Sequence, residues 1–452
     1  MKHAFVPGPR GAALSIGLAL VALLWLQERI LAGQVSANAH LLAYEGRLPV
    51  KVMPEAALSH AAAWKLVIIA LLMGGGLYVL YRSLAPAKIG AAALVGLGLA
   101  FVAMVTVDLR VAAVMSTDAY AYIGYGVLPS LHDAYAPPNS ALPGEFSLVN
   151  QIWGLPLVPC IYGPLWLEGI RVTLSGAHTL SQAWLAVRLF NVVMLVALAL
   201  LVYAVTRSLP GTAIIALNPA IHQLFIADAH NDLAGIVLLI GGLLAYRRGW
   251  SLIAVALIVC AGLVKLPFVV VGLLFVVYEP ALTRRLAAGA SMLGLTVAAY
   301  AIWVGPSYFP TLLHVATADS LHGAAEMTGA FKGFVAIHFV LLGIAAIAVA
   351  LAVLRDYLWE GARWSYIAIG GALEPWYLLW VLPSLMMAPK RLVEYAVALP
   401  LLALLLGHAT SLFGNHGTVT PTLACVALLA VYEGLRWPVV VRPPRFTSVT
   451  AL

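Results

Sequence analysis

The sequence predicts an all-α, polytopic membrane protein of about 11–14 transmembrane helices, and three observations carry that prediction. Of the 452 residues, 63% are hydrophobic and 10% charged, with a mean hydropathy of +0.98. A soluble domain carries about 25% charged residues, so an ordinary soluble enzyme, a disordered tail protein and a nucleic-acid-binding module are excluded. The apolar runs at 12–26, 66–80, 89–107, 192–205, 250–264 and 340–354 are continuous rather than alternating. A membrane barrel would read as alternating segments of about 10 residues. Helices remain, because they satisfy their own backbone hydrogen bonds in hydrocarbon. The basic residues fall in short pairs between the runs, so the net charge of +7 reads as membrane orientation and not as nucleic-acid binding.

Taken in order, the first run follows Lys2 and Arg10. The stretch Val35-Ser36-Ala37-Asn38-Ala39 resembles a signal-peptide cleavage site. The length of the run to Ala32 and its bulky Trp25 favour an uncleaved first span. Basic residues mark the cytoplasmic side. Lys2/Arg10, Arg82/Lys88, Arg207, Arg247/Arg248, Arg284/Arg285, Arg355/Arg363, Lys390/Arg391 and Arg436/Arg442/Arg445 can all face inward together, with both termini cytoplasmic. That holds only if 108–182 stays on the outer side, so the apolar stretch 160–177 is expected to lie along the membrane surface. The short abutting runs 231–246, 250–264 and 266–279 read as short or broken spans. There is no internal repeat and no separate soluble segment, so 1–452 is expected to form one transmembrane domain. Its longest polar region is the outer loop, with the turn-rich Pro137-Pro138-Asn139. Cys160, Cys260 and Cys425 are too dispersed for a metal spacing or a disulfide framework.

The unusual polar residues then converge on the outer face. Asp118, in Ser116-Thr117-Asp118-Ala119-Tyr120, has two readings. It is a helix cap, or it is a general base on a sugar hydroxyl, worth about 10²–10⁴-fold in rate. Lys265 sits in an apolar segment, where a central charge costs about 2.5–3.5 kcal/mol on insertion scales. It therefore snorkels to the interface or meets an anion in a polar cavity. Arg110, Arg171 and Arg188 can serve an anion in the same way. His222 and His230 share a helix face if that helix is unbroken. The cluster His230-Asn231-Asp232 suggests a metal or a capped turn, and its spacing matches no strong metal signature. Glu374-Pro375-Trp376-Tyr377 interrupts a span, as a structural kink or as a functional carboxylate. No glycine-rich phosphate loop and no Asp-x-Asp are present, so a cytoplasmic nucleotide donor has no evident site.

Four motifs in order resemble one family. They are Thr117-Asp118-Ala119-Tyr120-Ala121-Tyr122-Ile123-Gly124-Tyr125-Gly126, Tyr162-Gly163-Pro164-Leu165, Leu217-Asn218-Pro219 running to Ala229-His230-Asn231-Asp232, and Leu263-Val264-Lys265-Leu266-Pro267 followed by Pro375-Trp376-Tyr377-Leu378-Leu379-Trp380. Together they resemble the polyprenol-phosphate-mannose-dependent α-1,6-mannosyltransferases of the GT-C superfamily. The resemblance implies a GT-C-like bundle with surface-lying helices in the first outer loop. It implies a polyprenyl-phosphate sugar donor, mannose by analogy, and a glycan or glycolipid acceptor at the outer face of the plasma (inner) membrane. Asp118 matches the acidic position of the outer loop, where a general base is expected. Lys265 matches a basic position near the lipid phosphate, with Arg110 and Arg188 as further cations. Tyr122, Tyr162, His230, Asn231, Asp232, Glu374, Trp376 and Tyr377 would line the cavity. Single displacement would invert the anomeric carbon. No cofactor or metal is required, because the leaving group is already a phosphate, although a divalent cation is compatible with the chemistry. The other expected partners are membrane lipids, with no nucleic acid. The chain departs from the family where it reads Asp133-Ala134-Tyr135 in place of an Asn-Pro-Tyr or Asp-Pro-Tyr turn, and where Ile161 replaces a proline. A lipid-linked-sugar transporter or flippase, and an O-antigen-type ligase or polymerase, are the competing readings.

Overall fold

Among the described residues the long apolar runs form helices, and polar or glycine-proline breaks end them. The computed structural model describes residues 9–37, 59–85, 90–111, 116, 118–273, 281–312, 378–380, 382–386, 396–398 and 400–405. The run 340–354 and the residues Glu374, Trp376 and Tyr377 lie outside them.

In chain order the helices are α1 (Pro9–Ala37), α2 (His60–Leu84), α3 (Ala91–Asp108), α4 (Asp118–Gly126), α5 (Leu131–Tyr135), α6 (Leu148–Trp153), α7 (Pro164–Leu174) and α8 (Leu180–Thr206). They continue with α9 (Leu209–Ala216), α10 (Pro219–Ile221), α11 (Asp232–Arg247), α12 (Ser251–Val264), α13 (Pro267–Leu273), α14 (Leu282–Trp303) and α15 (Leu382–Leu385). A π-helical turn, His222–Ala227, extends α10. No strand occurs among the described residues.

Among the described residues five helices are long and apolar enough to cross a membrane: the Ala13–Gly33 part of α1, and α2, α3, α8 and α14. A sixth candidate is the pair Leu209–Ala216 and Pro219–Ala227, bent by 42°. These belong to an all-α polytopic membrane protein. The exposed faces agree, since Val95, Leu99, Leu200 and Ile302 point outward at 62%, 63%, 65% and 86% exposure. Such apolar exteriors suit lipid, where a water-soluble protein would place polar side chains. Among the described residues between α3 and α8 no helix reaches spanning length, and α7 has only 11 residues. The expected surface helix over 160–177 is thus shortened to 164–174, because Pro164 takes the first helical position, which tolerates its missing N–H. Asp108 closes α3 and Leu180 opens α8, so the stretch that connects these two helices is 109–179.

The described residues form two compact units. The first draws on Met1–Thr117, Arg188–His230 and Leu385–Pro421. Its core joins Leu20 and Leu24 of α1, Ile69, Met73 and Leu77 of α2, Ala100 and Met104 of α3, and Ala213 and Leu217. Small residues allow this closeness: a Cβ at Gly17 would lie 3.2 Å from Ala100, and one at Gly96 3.1 Å from Leu14. The second unit draws on Asp118–Val187, Asn231–Ser384 and Thr422–Leu452. Here α11 packs along α12, α12 meets α13 and α14, and α4 and α7 pack together.

Candidate active site

Asp118 is the first residue of α4, in the second unit, and is partly exposed. One helical turn on, Tyr122 is fully buried, and its hydroxyl donates a long hydrogen bond to Asp118 Oδ2 at 3.4 Å. The same hydroxyl accepts from the backbone N–H of Asn231 at 3.5 Å. The Tyr122 ring meets Tyr162 and Trp166 edge-on, with centroids 4.9 and 5.2 Å away.

Lys265 stands where α12 ends. Pro267 cannot continue α12 and starts α13, leaving Lys265 extended at φ −154°, ψ 120°. The ammonium does not snorkel to an interface. Lys265 is 5% exposed, and its Nζ lies 3.1 Å from Asp232 Oδ1. Two rings wall it, with centroids 5.2 Å away at Trp380 and 5.7 Å away at Tyr162. Asp232 Oδ1 also accepts the Trp380 indole N–H at 2.6 Å. Its other oxygen, Oδ2, has no hydrogen-bond partner among the described residues. Asp232 opens α11, where a negative charge meets the positive end of the helix dipole. Asn231, just before it, is helical and caps nothing with its side chain. Its buried amide Oδ1 and Nδ2 likewise have no partner among the described residues.

The contacts close a ring within one unit: Asp118 to Tyr122, Tyr122 to Tyr162, Tyr162 to Lys265, Lys265 to Asp232, and through Asn231 back to Tyr122. The loop carrying Tyr162 is tied down along its backbone. The Gly163 N–H donates to the Val264 carbonyl at 2.9 Å. Tyrosine hydroxyls donate to the carbonyls of Val158 (Tyr125, 2.7 Å), Ile161 (Tyr308, 2.9 Å) and Tyr162 (Tyr135, 2.9 Å). Burial pushes the Tyr135 and Tyr308 hydroxyls well above the usual phenol range, so both remain donors at any working pH. Burial also raises the Cys160 thiol, which stays protonated and is no nucleophile.

The first unit holds a different polar centre. His222 Nδ1 lies 2.6 Å from Asp108 Oδ2, and its Nε2 lies 2.8 Å from the Ala216 carbonyl. A carbonyl only accepts, so Nε2 carries hydrogen, and one further proton is shared between Nδ1 and Asp108. Gln223 links Gln27 of α1 (3.1 Å) to Asp228 (3.1 Å). Arg188 and Asn191, one turn apart on α8, face the broken helix. Arg188 donates to the Ala227 carbonyl through Nε (3.1 Å) and Nη2, and Asn191 donates to those of Phe225 (2.7 Å) and His230 (3.2 Å). These side chains satisfy carbonyls that the bend removes from the helical ladder. Arg188 is therefore buried against backbone, while Arg110 is exposed just beyond α3. The shared face expected for His222 and His230 does not form, because the π turn and the left-handed Ala229 (φ 57°) intervene. His230 is fully buried. Among the described residues no group of three or more His, Cys, Asp or Glu side chains is placed to hold a metal.

Of the residues anticipated from sequence, the structure thus joins Asp118, Tyr122, Tyr162, Asn231, Asp232 and Lys265. Trp380, the last residue of the fourth motif, belongs with them.

Residues 31–281 match the family described as MptA_B family, Alpha-(1->6)-mannopyranosyltransferase, N-terminal domain. The match covers the first three motifs and the Lys265 half of the fourth, and it bears out the resemblance drawn from them. No curated protein and no solved structure matches the chain.

Proposed function

Because the chain belongs to the MptA_B family of alpha-(1->6)-mannopyranosyltransferases, we propose that it moves mannose from a polyprenyl-phosphate donor to a glycan or glycolipid acceptor at the outer membrane surface, with inversion. The donor's tail lies in the bilayer and its head group enters the second unit. Asp118 takes the acceptor hydroxyl proton. The freed oxygen attacks the anomeric carbon from the side opposite the phosphate. The bond from that carbon to the phosphate oxygen breaks, and Lys265 stabilises the departing lipid phosphate. A β-linked mannosyl phosphate gives an α-mannoside. The observation that carries this reading is the closed ring of contacts joining the partly exposed carboxylate of Asp118 to the buried cation Lys265. A proton acceptor and an anion partner on one rigid frame are what a single displacement needs.

The test is reconstitution of the purified protein with labelled polyprenyl-phosphate mannose and envelope lipid acceptors. A new glycosidic bond is expected. Movement of the lipid-linked sugar across proteoliposomes without bond formation would favour the transporter instead. Topology is checked separately. A cysteine at Ser147, just before α6, is expected to react with an impermeant thiol reagent from outside intact cells, read against the unmodified chain with its native cysteines. Labelling only after permeabilisation would put this loop on the other side.

A further inference from the structure

We propose that Asp232 is an internal counter-anion that competes with the lipid phosphate for Lys265, and so sets how fast the product leaves. The inference rests on the reading of Lys265 as the cation that meets the phosphate.

A buried ammonium must be compensated, and at Lys265 the compensating charge is Asp232, 3.1 Å away. The grip is one-sided. Asp232 holds Lys265 and the Trp380 N–H through Oδ1 alone, while the fully buried Oδ2 has no hydrogen-bond partner among the described residues. A lysine ammonium is a point charge without the fork of an arginine, and here one carboxylate oxygen holds it. An ammonium carries three N–H donors, so a second anion can share it beside that contact or take it. The aromatic walls of Trp380 and Tyr162 keep the cation within the box in either arrangement.

The reaction raises the stakes of that competition. The donor is a phosphodiester with one negative charge. When its bond to the anomeric carbon breaks, the bonding electron pair stays on the phosphate oxygen. The acceptor oxygen forms the new bond to the sugar, and its proton passes to Asp118. The lipid phosphate leaves as a monoester that carries up to two charges. Its attraction to Lys265 grows as the bond breaks, which speeds the chemistry and slows departure. Asp232 offsets the second effect by reclaiming the ammonium as the monoester withdraws. Asp232 is thus a positioning residue that acts through Lys265.

The experiment uses the full chain in lipid nanodiscs, with polyprenyl phosphate as the probe for direct binding and steady-state kinetics beside it. Asp232→Asn keeps shape and an oxygen for Trp380 but removes the charge. Its affinity for polyprenyl phosphate is expected to rise by at least about tenfold, as close charge pairs couple at that level or above, with kcat and KM for the donor falling together. Trp380→Phe keeps a ring over Lys265 and removes a donor from Asp232, tightening the carboxylate's hold on the ammonium. Polyprenyl phosphate is expected to bind more weakly in that variant and KM to rise. If Asp232 only braces Lys265, Asp232→Asn weakens phosphate binding and raises KM, and the proposal is overturned. Should Asp232→Asn fail to fold, an unchanged or higher affinity in Trp380→Phe overturns it equally. Lys265→Ala separates the two levels. Undiminished affinity for polyprenyl phosphate there removes Lys265 from phosphate binding. Lost affinity there, with no gain in Asp232→Asn, removes only the counter-anion.

Discussion

Replacing Asp118 with Asn is expected to lower sugar transfer by about 10²–10⁴-fold, the usual worth of a general base, with folding and expression unchanged. The substitution is nearly isosteric. An Asn oxygen can still accept from the Tyr122 hydroxyl, which reaches Asp118 Oδ2 at 3.4 Å, but an amide cannot take a proton from an acceptor. The lost negative charge at the start of α4 weakens an interaction with the helix dipole worth about 0.3–1 kcal/mol, too little to unfold the unit. The competing reading of Asp118, as a helix cap, predicts the opposite outcome. Asn and Asp are equally good caps, so a capping role would leave both rate and stability where they were. Initial rates of mannosyl transfer, measured beside the thermal midpoint of the same preparation, decide between the two. Undiminished transfer in Asp118→Asn would remove this carboxylate from the mechanism.

The elements that the sequence shows plainly are those whose signal is local. The runs 66–80 and 192–205 fall within α2 and α8, and 91–107 of the third run within α3, because continuous apolar side chains leave the backbone no other way to satisfy itself in hydrocarbon. The tie between Asp118 and Tyr122 is local in the same sense, since four residues along a helix place two side chains on one face. The partner of Lys265 is not local. Asp232 lies 33 residues away in sequence, and Trp380 reaches Asp232 across 148. No periodicity encodes such a pairing; it comes from how α11, α12 and the segment around Trp380 meet. A lysine in an apolar segment announces that compensation is needed, and Asp232 stood in a motif already singled out, but nothing in the order of residues joined the two. The Asp108–His222 pair, 114 residues apart, escaped for the same reason. The spacing argument for His222 and His230 failed on a local event. The π turn His222–Ala227 changes the angular step on which a shared face depends, and the left-handed Ala229 ends the helical path before His230.

Gly163→Ala is expected to disable the site as thoroughly as loss of Asp118, by a steric route. Gly163 has φ −75° and ψ 158°, a conformation open to any residue, so backbone freedom does not explain the glycine. Space does. A Cβ there would lie 1.9 Å from the Leu263 carbonyl oxygen, 2.4 Å from its carbon and 2.6 Å from the Tyr300 hydroxyl. Two of these atoms are backbone and cannot rotate away. The Tyr162 loop must therefore withdraw from the end of α12 and break the 2.9 Å hydrogen bond from the Gly163 N–H to the Val264 carbonyl. Overpacking costs about 1–3 kcal/mol, and an orphaned buried amide costs about as much again. Lys265 directly follows Val264, and Tyr162 directly precedes Gly163, so the retreat separates the Tyr162 ring from the cation it walls at 5.7 Å. A displacement near 1 Å costs about 10² in rate, so transfer is expected to fall at least that far, together with the thermal midpoint. Gly169→Ala, on the helix that Gly163 precedes, is the control. A Cβ at Gly169 meets nothing within 4 Å, and alanine favours α7, so stability and transfer are expected to hold or rise slightly. If Gly163→Ala behaves like Gly169→Ala, the Tyr162 loop does not abut α12 in the working enzyme, and the ring joining Asp118 to Lys265 is broken at that point.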